Sequence, residues 1–174
     1  MIYFVKQSTF NNQQCSPFMN NHLLHRIRIC IWIIIVGLFL SGITAFPIET
    51  ELAVFVQHNV GNSSTTALWL NRVYSAVKTT NHAYPFLSYG TDWLAFAHIM
   101  LAILFIGPLK DPVRNKWIIE FGMIAAVLIF PLAFIAGAIR GIPFFWRLID
   151  CSFGVITLLV LVPCYRMIVK LEDK

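Results

Sequence analysis

The sequence predicts an all-α, polytopic membrane fold: four transmembrane helices in an antiparallel bundle, with a short amphipathic helix in the first extracytoplasmic loop. Three observations carry that expectation. Four apolar stretches, residues 29–48, 93–109, 121–139 and 151–165, are each long enough to cross or nearly cross a bilayer and almost free of charge. The hydrophobic fraction is 58% and the charged fraction only 12%, where soluble domains carry about 25% charged residues. The basic residues stand at the ends of the apolar runs, not among aromatics on a polar surface. Lipid offers no partner to a bare peptide group, so stretches of this kind must be helices that satisfy their own backbone.

The first 28 residues are expected to form a cytoplasmic tail. Its polar part, residues 7–21, is rich in Asn and Gln, lacks helical or strand periodicity and is expected to be disordered. Arg26 and Arg28 before an apolar run imitate the start of a secretory signal. The run is long, no small-residue cleavage site follows it, and Pro47 stands behind Ala45 and Phe46, so an uncleaved helix is expected. Met19 is a second candidate start, and beginning there changes nothing that follows.

The transmembrane domain is expected at residues 29–170, with spans near 29–48, 92–109, 112–140 and 143–168. An extracytoplasmic segment of 49–91 lies between the first two spans, and a short cytoplasmic tail, 171–174, closes the chain. In the external segment Leu68, Leu70, Val73, Tyr74 and Val77 recur at helical spacing behind the capping residues Ser64, Thr65 and Thr66, which predicts an amphipathic helix at 66–79. Asn62-Ser63-Ser64 also matches a glycosylation sequon. Thr91 or Asp92 is the expected cap of the second span. Asp111 followed by Pro112 reads as an N-cap with Pro at the first helical position of the third. Pro131 inside that span is a kink candidate. Gly141 and Pro143 predict a tight hairpin between the third and fourth spans.

Orientation follows from Lys and Arg. Lys6, Arg26, Arg28, Lys110, Arg114, Lys116, Arg166, Lys170 and Lys174, nine of 13, fall on one side, and Arg72, Lys78, Arg140 and Arg147 on the other. Both termini are therefore expected in the cytoplasm of a multi-pass protein, which resembles in type the small multi-span proteins of bacterial inner membranes. Trp32 and Trp117 near the inner boundary, and Trp93 and Trp146 near the outer one, agree. The formal charge of +5 is thus a record of insertion, and no nucleic-acid partner is expected.

Cys15, Cys30, Cys151 and Cys164 have no C-x-x-C or metal spacing and are expected to be free thiols. Phosphate-loop, zinc-protease and nucleophile-elbow motifs are absent from the sequence, and no inverted repeat relates its halves.

Ionisable groups in or beside hydrocarbon are the best functional pointers in such a chain. Here Asp92, His98, Arg140, Arg147 and Asp150 gather toward the outer side. His98 lies about 9 Å below the expected cap of the second span and Asp150 about 10 Å below Pro143 at 1.5 Å per residue, which predicts a cationic rim over a buried Asp and His, roofed by Tyr84 and Tyr89. The plainer reading stands beside it: Arg147 and Asp150, three apart, pair on one helix and anchor the hairpin, while His98 bonds across helices. Glu120, four residues after Lys116, reads as structural. Gly137 and Gly141 form a G-x-x-x-G that would let a helix approach closely.

Three functions compete. The first is a non-catalytic membrane protein whose outer pocket binds a ligand, a partner subunit or a second copy of the chain, with no cofactor. The second is a redox component with b-type haem or quinone near His98, for which only His58 and His82 offer a second ligand at similar height. The third is a small proton-coupled carrier or oligomeric pore titrating at Asp150 and His98.

Overall fold

The computed structural model describes residues 17–59, 61 and 63–173. Seven helices follow one another: α1 Pro17–Ala45, α2 Ile48–His58, α3 Thr65–Ala83, α4 Pro85–Leu104, α5 Ile106–Lys110, α6 Lys116–Ile139 and α7 Phe144–Glu172. Among the described residues there is no strand. Four segments are long and apolar enough to cross a membrane: Asn21–Ala45, Pro85–Lys110, Lys116–Ile139 and Phe144–Glu172.

Each boundary has a local cause. Helix α1 opens with Pro17 in its first turn, so the expected disorder does not extend over residues 17–21; residues 7–16 and Cys15 lie outside the described residues. Pro47 separates α1 from α2, and its carbonyl accepts the Glu51 amide at 3.0 Å. Helix α2 was not foreseen. It carries Glu49 and Glu51 in its first turn, where negative charge meets the positive end of the helix dipole. The sequon asparagine, Asn62, lies outside the described residues. Helix α3 begins where the capping residues placed it, with Ser64 Oγ accepting from the Ala67 amide at 3.3 Å. It continues to Ala83, beyond the expected end at 79, because no breaker intervenes before Pro85.

Two expected caps are corrected. Thr91 and Asp92 lie inside α4, because Pro85, with φ preset for a helix and no amide to satisfy, starts the helix earlier. Asp111 and Pro112 open only a turn: Asp111 Oδ1 accepts from the Arg114 amide at 3.0 Å, and α6 begins at Lys116. Asn115 closes that turn, its Nδ2 donating to the carbonyls of Asp111 at 2.9 Å and Gly107 at 3.2 Å. The break between α4 and α5 falls at Phe105, just after Leu104, whose carbonyl receives no amide from Pro108. Helix α6 continues through Pro131, and α7 through Pro163.

The α6–α7 hairpin is as the sequence implied. Gly141 takes φ +68°, a left-handed conformation costly for a residue with a Cβ. The Gly141 amide donates to Ala138 at 3.2 Å and the Ile142 amide to Gly137 at 2.9 Å, the paired bonds of a Schellman stop.

Helix α1 packs on α4 and α7, α6 on α7, and α2 and α3 on each other, with α3 also against α4. Small residues set the closest approaches. A Cβ on Gly42 would lie 2.8 Å from the Ala95 carbonyl oxygen, and one on Gly154 2.8 Å from that of Ala126. The apolar core joins Ile27, Ile31, Ile34 and Ile35 of α1 with Ala102, Phe105, Ile118, Ile119, Leu161, Cys164 and Ile168. All of these lie toward one end of the molecule. Buried residues of the far halves, such as Ala95, Ala126, Ala133 and Cys151, do not join that cluster.

Candidate functional site

The outer-side residues singled out in the sequence fall into two groups. Asp92 and His98 stand on α4, which packs on α1, α3 and α5; Arg140, Arg147 and Asp150 belong to the α6–α7 hairpin. The expected height match between His98 and Asp150 also changes. With α4 starting at Pro85, His98 is about 20 Å along its helix and Asp150 about 9 Å along α7 at 1.5 Å per residue. A single roofed pocket holding all five does not form. Tyr84 and Tyr89 are exposed, at 55% and 60%, and the Tyr89 ring packs edge-on against Trp93.

His98 is half-buried and oriented from within its own helix. Its Nδ1 is 2.8 Å from the Leu94 carbonyl, which can only accept, so Nδ1 carries the proton in this contact. Its Cβ sits beside Gly42 of α1. Neither candidate second haem ligand joins it in one cavity: His58 donates from Nδ1 to the Val54 carbonyl at 2.9 Å, and His82 lines a different cavity. Among the described residues no three His, Cys, Asp or Glu side chains gather as a metal site.

Arg147 and Asp150 do not form the expected ion pair. Arg147 turns back instead, its Nε donating to the Ile142 carbonyl at 2.7 Å with its stem against Gly137. A free carbonyl at the hairpin is nearer than the carboxylate one turn away. The space above Gly137, read in the sequence as room for a neighbouring helix, is thus filled by the hairpin's own arginine.

What the hairpin does form is a groove of about 280 Å³ lined by Ile129, Leu132, Ala133, Ala136, Gly137, Arg140, Ile142 and Asp150. Arg140, the C-cap of α6, is exposed, and among the described residues its guanidinium has no hydrogen-bond or ion-pair partner. The groove therefore offers an unpaired cation, a half-buried carboxyl and an apolar floor.

A second cavity, of about 530 Å³, lies between α2 and the last turn of α3, lined by Glu49, Lys78, Thr79, Asn81, His82 and Ala83. Asn81 Nδ2 donates to Glu49 Oε2 at 2.5 Å, and Ser88 Oγ donates to Asn81 Oδ1. Apolar periodicity does not point to this site, because residues 49–58 are too short a run to register as a span and carry two acidic residues. Pro47 followed by two acidic residues and then Leu52, Ala53, Val54 and Phe55 was the available signal for a helix there.

At the opposite end Lys116 Nζ meets Glu172 at 2.5 Å, the one ion pair among the described residues, and Glu120 takes the Tyr165 hydroxyl. Glu120 is thus held between α6 and α7, with Tyr165 rather than Lys116 as its hydrogen-bond partner. Compared with known proteins, the chain matches no family model, no curated protein and no solved structure.

Proposed function

We propose that this chain is a multi-pass membrane protein of the binding type, with both termini cytoplasmic, whose α6–α7 groove receives an amphipathic molecule bearing an anionic group and a neighbouring hydrogen-bond donor. Membrane residence is supported by the outward faces of the four long helices. Only 22–28% of each most apolar window is buried within the protein, leaving side chains such as Ile139, Leu159 and Leu132 at 80%, 70% and 66% exposure. Water would penalise that surface by about 25 cal/mol per Å², whereas lipid tails accept it.

The observation that carries the binding reading is the unpaired Arg140 guanidinium at the edge of an apolar groove that also contains Asp150. A guanidinium can hold a phosphate or carboxylate with two parallel bonds. Asp150 accepts from a hydroxyl or ammonium on the same molecule, and Leu132, Ala133 and Ala136 lie along its apolar part. No bond need be made or broken, so the mechanism is recognition alone.

Native mass spectrometry of the purified protein with anionic phospholipid is the test. Arg140→Gln should weaken retention of the anionic lipid by about tenfold, the loss expected for one charge-assisted hydrogen-bonded contact, and Asp150→Asn should change which headgroups are preferred. Unchanged retention in both variants rejects the groove as a binding site.

A further inference from the structure

We propose that the cavity between α2 and α3 is a second, separate binding site, for a phosphate group joined to a primary ammonium, as in the phosphoethanolamine headgroup of a membrane lipid. This site does not depend on the hairpin groove, with which it shares no lining residue.

The position of the cavity is the first argument. Its carboxylate, Glu49, stands just past the end of α1, and Asn81, His82 and Ala83 stand just before the start of α4. These are the ends of two segments apolar and long enough to cross a bilayer, so in a membrane the cavity lies at headgroup level. The surroundings agree. Tyr84, Tyr89 and Trp93 are all more than half exposed near the start of α4, and amphipathic rings of this kind are enriched at the interface between hydrocarbon and water.

Chemistry is the second argument. Glu49 is fixed in place: its Oε2 accepts from Asn81, and Asn81 is itself held by Ser88 from α4. Among the described residues no donor reaches the other oxygen, Oε1, and Glu49 lines the cavity together with Lys78 and His82. A carboxylate that already has one oxygen satisfied and its rotamer held is preorganised to accept from an N–H cation. Lys78, which also lies 5.7 Å from the centre of the Tyr74 ring, and His82 supply donors to a phosphate. A carboxylate, the Lys78 ammonium and an imidazole donor on one cavity wall match a zwitterion better than either ion alone. A trimethylated ammonium has no N–H to give Glu49, so the site must distinguish a primary ammonium from a quaternary one.

Full-length protein is titrated in nanodiscs or mild detergent with phosphatidylethanolamine, phosphatidylcholine and soluble phosphoethanolamine, and bound ligand is counted by native mass spectrometry. Phosphatidylethanolamine should be retained about tenfold better than phosphatidylcholine, the difference made by one charge-assisted hydrogen bond. Glu49→Gln, which keeps the shape and the contact with Asn81, should abolish that preference. Lys78→Ala with His82→Ala should lower retention of both lipids. Repeating the titration in an Arg140→Gln, Asp150→Asn background, which removes the polar contacts of the hairpin groove, separates the sites: the preference that remains, and its loss on adding Glu49→Gln, belong to this cavity. Competition by soluble phosphoethanolamine at the lipid's concentration supports the site with a soluble occupant, and competition by lipid alone supports a membrane occupant. Equal retention of the two lipids by the unmodified protein, or an unaltered preference in a Glu49→Gln variant with normal helical circular dichroism, overturns the proposal.

Discussion

Glycines at the helix contacts, more than the ionisable groups, decide how closely this chain packs. A Cβ on Gly42 would meet both the Ala95 carbonyl and Ile99 Cγ1 at 2.8 Å, and the carbonyl belongs to a helix that cannot yield locally. Gly42→Val should therefore cost about 1–3 kcal/mol by overpacking, seen as a lower unfolding midpoint in detergent. His98, on the facing helix, behaves differently. The Leu94 carbonyl it touches belongs to the α4 helix, so His98→Ala should cost only about 0.5–1.5 kcal/mol. A larger loss for His98→Ala than for Gly42→Val would show that the imidazole does more than orient itself on its own helix. At the hairpin, Gly141→Ala places a Cβ at φ +68°. It should destabilise by about 1–2 kcal/mol through the left-handed penalty alone, measured in the same assay.

Among elements, two connections hold the most information. The α1–α7 contact brings the Cys30 and Cys164 thiols together, while Cys164 Sγ also donates to the Ile27 carbonyl at 3.9 Å. All three described cysteines are free, as the spacing implied, yet Cys30 and Cys164 are neighbours, which spacing could not reveal. A lipid-soluble oxidant should join them. Cleavage of the connection between α2 and α3, followed by non-reducing electrophoresis, should then leave the two fragments linked, and Cys164→Ser should release them. The second connection is the Glu49–Asn81–Ser88 chain, which ties α2, α3 and α4 together at one point. Asn81→Leu leaves the Glu49 carboxylate without its donor and should cost about 1–3 kcal/mol. Amide exchange in α2, an 11-residue helix with no buried residue of its own, should rise far more than in α6.

For the whole molecule, the apolar core sits at the end where α1 begins and α7 finishes, and the far halves pack as α1 on α4 and α6 on α7. Lys116 and Glu172 add a clasp at the cored end, exposed enough that water screens most of its attraction. The candidate binding features lie away from that core, in grooves rather than in a sealed interior; among the described residues no polar or charged residue is buried. Topology is the property to measure at this scale. On the proposed orientation a reporter fused after Lys174 should register on the cytoplasmic side, and one inserted between α2 and α3 on the opposite side. A reporter after Lys174 that reads as exported overturns the proposed orientation.

The long helices were legible because membrane spans are written in composition: an uninterrupted apolar run must bury its backbone bonds in itself whatever its neighbours do. The hairpin stop at Gly141 and Pro143 and the Ser64 cap were legible for the same reason, being local chemistry. Other local signals were ambiguous. Asp111-Pro112 opened a turn rather than a helix, and Pro85 outcompeted Thr91 and Asp92 as a start, because several residues in each segment could begin a helix and only one arrangement also packs. Which polar groups meet was decided by tertiary structure alone. Arg147 took the Ile142 carbonyl instead of Asp150, Asn81 reached Glu49 across 32 residues, and His98 was separated from the hairpin because α4 packs on α1 and not on α6 or α7. Helix formation depends on each segment's own solvation, whereas the meeting of side chains depends on the rotation and pairing of whole helices, which a one-dimensional pattern of apolar residues exposed on most sides leaves undetermined.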